Sequence, residues 1–92
     1  MIRSFKDKAL KRLFTRGETK GISAAIIPRV QRVLDALDGA ESPHDVMLPG
    51  FHTHPLKGDR KGTWAITITR NQRVTFRFDG VDVTDVQLED YH

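Results

Sequence analysis

A chain of 92 residues is expected to fold as one domain over 1–92, because a chain this short buries only about 60–65% of its unfolded surface and cannot build two cores. The absence of cysteine excludes a disulfide framework, a thiolate metal site and a cysteine nucleophile; no apolar run nears the ~18 residues of a membrane span and no signal-peptide core is present, so the expected location is the cytoplasm, with no membrane partner. The net charge of +3 is unevenly spread, with seven basic residues against two acidic over 1–20, six basic against Asp59 over 57–77, and five acids with no Lys or Arg over 79–92. The basic stretches suit a polyanion such as nucleic acid, although a solvated surface accounts for them equally well.

Ser4 and Asp7 read as the Ser-x-x-acid start of a helix that carries Ala9, Leu10, Leu13 and Phe14 at helical spacing and stops at Gly17, with a short strand at Ile2 and Arg3 before it. Ser23 is placed to cap a second helix, whose apolar residues Ile26, Ile27, Val30, Val33, Leu34 and Leu37 share one face before Gly39. Pro28 lacks the N–H that a fifth helical residue would donate, so the regular helix begins at Pro28 or bends there. Residues 41–50 hold a proline near each end and predict a loop with at most one helical turn.

From Trp64 the period becomes two. Trp64, Ile66 and Ile68 alternate with Ala65, Thr67 and Thr69; after a turn at Arg70, Asn71 and Gln72, the residues Val74, Phe76 and Phe78 alternate with Arg73, Thr75 and Arg77. One face is core and the other cationic. Asp79-Gly80 signals a hairpin into a third strand, where Val81 and Val83 share a phase that Val86 and Leu88 break, which predicts a bulge or a strand switch near Asp85. Two helices followed by antiparallel strands give an α+β fold, with the helices packed on one face of a mainly antiparallel sheet.

The residues with chemistry to offer are His54, Lys57 and Arg60 in one segment and Glu89, Asp90, Tyr91 and His92 in another. If the last strand returns beside the central ones, the second group reaches the rim formed by 54–62 and joins Arg73. Such a group suits RNA cleavage, because RNA carries its own nucleophile in the 2′-OH. A protein need only supply a base, an acid for the leaving 5′ oxygen and cations for the phosphorane. The bland readings are exposed histidines, a solvated Arg73/Arg77 strand face and a core Trp64. His52-x-His54 is the only metal-like spacing, and none of the usual zinc patterns accompanies it, so no metal or other cofactor is expected.

The segment His54-Pro55-Leu56-Lys57-Gly58-Asp59-Arg60-x-Gly62-x-Trp64, the stretch Arg73-Val74-Thr75-Phe76, the ending Glu89-Asp90-Tyr91-His92 and the opening Met1-Ile2-x-Ser4-Phe5 together resemble the HigB (host inhibition of growth) toxins of the RelE-like superfamily, over nearly the whole chain. The resemblance implies a small RelE-like fold and a type II toxin that cuts mRNA in the ribosomal A site by metal-independent 2′-OH attack. It implies that His54, Asp90, Tyr91 and His92 are catalytic, with His54 or His92 as base and the other imidazole or Tyr91 as acid. Lys57, Arg60 and Arg73 would meet phosphate, and Asn71 a messenger base. The implied partners are the ribosome, mRNA and a HigA-type helix-turn-helix antitoxin, with operator DNA reached only through that antitoxin. The rival is a non-catalytic module of the same fold that binds an antitoxin as co-repressor.

Overall fold

Asp7, rather than Ser4, opens the first helix, as a computed structural model that describes residues 1–91 shows. Helix α1 spans Lys8–Arg16, and the Asp7 carboxylate accepts the backbone N–H groups of Ala9 and Leu10 at 2.9 and 3.3 Å. Its second oxygen accepts from the N–H of Leu88 at 3.3 Å. Ser4 lies in extended chain outside the helix, and its hydroxyl accepts the N–H of Asp85 instead. Gly17 ends α1 at φ 69, a left-handed conformation that its missing side chain permits.

Helix α2 spans Ile27–Asp38, with Pro28 in the first turn, where a missing N–H costs nothing. Ser23 does not cap it: the Ser23 carbonyl closes a separate turn by accepting from Ile26. The loop after α2 holds a single 3₁₀ turn, Pro43–Val46, whose Val46 is fully buried.

Four antiparallel strands follow, β1 (His54–Pro55), β2 (Thr63–Thr67), β3 (Gln72–Asp79) and β4 (Asp82–Asp90), in the spatial order β1-β2-β3-β4. Strand β1 is too short to leave a periodic trace in the sequence. Strand β2 stops two residues before the expected Thr69, because Ile68 and Thr69 both donate to the Gln72 carbonyl and form the turn. The N-terminal segment pairs parallel to β4 at Ile2 with Val83 and at Phe5 with Val86, so the sheet is mainly antiparallel, as expected.

Of the two alternatives near Asp85, the structure has the bulge. Thr75 pairs with Gln87 and Arg77 with Thr84, so Phe76 alone faces Asp85 and Val86, and Asp85 takes φ 55. The extra residue turns Val86 onto the same face as Val83, and both are fully buried. They complete a core in which Leu10, Leu13, Val30, Val33, Leu34 and Leu37 of the helices cover Ile66, Val74 and Phe76 of the sheet. Each such side chain contributes roughly 1.5–3 kcal/mol on burial. Among the described residues, no helix is long and apolar enough to cross a membrane.

Candidate active site

The sheet face turned away from the helices is polar, and strand alternation decides which side chains it carries. Residues His54, Ala65, Thr75 and Gln87 are cross-strand partners and form one row over all four strands. Thr67, Arg73 and Glu89 form the next row.

Glu89 is the centre of this face. Both terminal nitrogens of Arg60 donate to its carboxylate, one to Oε1 at 2.7 Å and the other to Oε2. Arg73 Nη2 donates to Oε1 at 3.3 Å, and Thr75 Oγ1 and Gln87 Nε2 donate to Oε2 at 2.8 and 2.7 Å. The Glu89 side chain is only 15% exposed. Hydrogen bonding by Arg60, above all, holds the Glu89 carboxyl well below the usual carboxylate range, against the opposing effect of burial; the same bond raises Arg60. Arg60 lies between β1 and β2 and Glu89 lies on β4, so the pair spans the two central strands. Thr75 and Ala65, although on this outer face, are accordingly buried.

Tyr91 extends the cluster. Its N–H donates to the Asn71 carbonyl at 2.7 Å, and its ring lies 4.6 Å from the guanidinium carbon of Arg73. Arg73 is therefore held between a carboxylate and an aromatic face, with its Nε buried and unpartnered among the described residues. Arg77 is tied differently, to Thr63 Oγ1 at 3.0 Å, and packs close to Gly62, whose φ of 94 and lack of a side chain leave it room.

The sheet order sets β1 and β4 on opposite sides of β2 and β3, so the 54–62 segment and residues 89–91 are joined through Arg60 and Glu89. His54 is exposed on β1, and its Nδ1 lies 2.8 Å from the His52 carbonyl. A carbonyl only accepts, so in the neutral ring Nδ1 carries the proton and Nε2 keeps its lone pair. Lys57 is exposed just before the 3₁₀ turn Gly58–Arg60. Asp90 pairs with Gln72, and alternation sets it on the face opposite to Glu89 and Arg73. His92 lies outside the described residues. The structure thus gathers Arg60, Arg73, Asn71 and Tyr91, places His54 on the same face two strands from Thr75, and leaves Asp90 off it. Among the described residues no group of three or more His, Asp or Glu is arranged to hold a metal ion.

The sequence alone assigns no role to Glu89 or Thr75. The one signal it offers is their phase, which sets both on the face of Arg73.

A family profile described as the RelE-like toxin of the type II toxin-antitoxin system HigB matches residues 3–92. The chain is 44% identical over 92 residues to the Endoribonuclease HigB of Proteus vulgaris, covering 100% of both. In fold it is similar to a YoeB/ParE toxin from Agrobacterium tumefaciens, with a TM-score of 0.66 at 17% identity and full coverage of both chains. It is also similar to a YoeB-YefM complex from Staphylococcus aureus, with a TM-score of 0.64 at 14% identity over 100% of this chain and 98% of that one. The chain belongs to the HigB family of RelE-like toxins of type II toxin-antitoxin systems.

Proposed function

We propose that this chain, an endoribonuclease toxin, cuts mRNA in the ribosomal A site without a metal, by attack of the 2′-OH on the adjacent phosphorus. The observation that carries the reading is the Arg73–Tyr91 pair, fixed by Glu89 on the sheet face that also bears His54. His54 Nε2, left with its lone pair, takes the 2′-OH proton. The 2′ oxygen bonds to phosphorus, the bond to the 5′ oxygen breaks, and Tyr91 or His92 returns a proton to that oxygen. The products are a 2′,3′-cyclic phosphate and a 5′-OH. Arg73, with Lys57 from the neighbouring loop, meets the charge of the phosphorane, and a donor of that kind is worth about 10²–10³ in rate. Asn71, whose carbonyl accepts from the Tyr91 N–H, meets a messenger base, and Asp90 orients or charge-tunes a neighbouring imidazole.

A fold this small has few residues with which to bend a message into line, so the ribosome supplies the orientation. An antitoxin of the HigA helix-turn-helix type is the inhibitor, and operator DNA is bound through it. The YoeB-YefM complex, whose toxin has the same fold, supports a protein partner.

The test is cleavage of a defined message on programmed ribosomes and as free RNA, with magnesium for the ribosomes controlled and excess chelator added. A-site cuts ending in a cyclic phosphate, much faster on ribosomes and indifferent to chelator, are expected. Equal rates on free RNA would remove the ribosomal step, and activity restored only by zinc would replace the His54 mechanism by metal chemistry at His52 and His54.

A further inference from the structure

We infer that Glu89 is a positioning residue for RNA cleavage: it sets Arg73 beneath Tyr91 and, through Arg60, ties the loop bearing Lys57 to β4. This rests on the ribosomal cleavage reading above. An exposed ion pair between strands would hold little in place. Glu89 differs because it is mostly buried and accepts five hydrogen bonds from four side chains on β3, β4 and the turn Gly58–Arg60. Two of its donors, Thr75 and Gln87, are uncharged and keep the carboxylate in place even if an arginine swings toward substrate.

The geometry divides the labour of the two arginines. Arg60 gives both terminal nitrogens to Glu89 and acts as a strap across β2 and β3. Among the described residues Arg73 gives only Nη2, which leaves Nη1 to a phosphate oxygen while the ring of Tyr91 fixes the plane of the guanidinium. One carboxylate between two arginines leaves this cluster at +1, with Lys57 adding to it, so the face still attracts RNA after Glu89 has done its ordering. A carboxylate that merely occupied the phosphate site would make the opposite prediction, since its removal would tighten substrate binding.

The experiment compares wild type, Glu89→Gln and Glu89→Asp in steady-state cleavage of programmed ribosomes, with thermal melting of each protein alongside. Glu89→Gln keeps the shape but presents an N–H₂ where a carboxylate oxygen accepts, so kcat is expected to fall about tenfold or more, with KM within about twofold of wild type. Glu89→Asp, which restores the charge, is expected to recover part of kcat. A lowered Tm with wild-type kcat per folded molecule would make Glu89 structural only and overturn the inference. A lower KM or a raised kcat would make it a competitor of phosphate and would overturn the inference equally. If Glu89→Gln does not fold, Thr75→Val carries the test by removing one hydrogen bond without changing charge or shape. A fall in kcat of about threefold at constant KM is then expected, and an unchanged kcat overturns the inference. Wild type that fails to cut programmed ribosomes would remove the underlying reading, whereas wild type that cuts while Glu89→Gln matches it would remove this inference alone.

Discussion

The ring of Tyr91 covers the guanidinium of Arg73 at 4.6 Å, one residue beyond the strand that delivers it. The ring and the hydroxyl therefore have separable duties. Tyr91→Phe keeps the stack and is expected to leave Tm unchanged while lowering kcat about 10²-fold, the usual size of a lost proton donor. Tyr91→Ala also loses the cation–π contact, about 0.5–1 kcal/mol, and frees Arg73. Equal cleavage by wild type and Tyr91→Phe would transfer the acid role to His92.

Glu89 makes acid stability a readout of the site. Its carboxyl is held below the ordinary value of 4.5, so the folded state binds this proton less readily than the unfolded state. The stabilisation is complete above about pH 5 and is lost as pH falls through the unfolded value toward the lower folded one. A plot of Tm against pH is expected to fall more gently below pH 5 in Glu89→Gln than in wild type, from a lower plateau near neutrality. Parallel curves would mean that Glu89 has no net stake in folding.

Asp7 caps α1 with one oxygen and holds the Leu88 N–H with the other. Asp7→Ala is expected to cost about 1–2 kcal/mol, and roughly 4–8 °C of Tm per kcal/mol in a domain of this size. Asp7→Asn keeps one acceptor oxygen and is expected to lose less. Thermal melts of the two variants give the comparison.

Leu88 is half-buried against the core, and Val86 beside it is fully buried. Leu88→Ala is expected to cost about 1–3 kcal/mol, below the range for a fully enclosed leucine, by the usual accounting of lost burial and cavity. With His92 in place of Tyr91 as the acid, deletion of His92 is expected to abolish toxicity in an induced bacterial host with no change in Tm. A folded deletion variant that remains fully toxic would exclude His92 from the chemistry.

Strands β2, β3 and β4 are legible because their order is local. The alternation of Trp64, Ile66 and Ile68, and the phase break between Val83 and Val86, both lie within a few residues, and each translates directly into register or bulge. The start of α1 falls later than the sequence predicts, at Asp7 instead of Ser4, for the opposite reason. The Ser4-to-Asp7 spacing reads as a capping pair that starts at Ser4, and only the pairing of Phe5 with Val86, far along the chain, takes Ser4 out of the helix. Glu89 was visible as part of the terminal motif but not as a hub, since Arg60 lies 29 residues away and Thr75 lies 14 away. Asp90 looked equivalent to its neighbours until pairing with Gln72 set its face.

The parallel seam between residues 1–6 and β4 bears on the order in which the protein is made. The backbones of Met1 and Arg3 bond with Val83, and those of Ser4 and Lys6 with Val86, so these early residues, once synthesised, wait unpaired until β4 has been added. Such distant closures come late in folding. The strand that closes the seam is the one that brings Glu89 and leads into Tyr91. A nascent chain therefore lacks its finished sheet and its Arg73–Tyr91 pair together until β4 and the residue after it have been added.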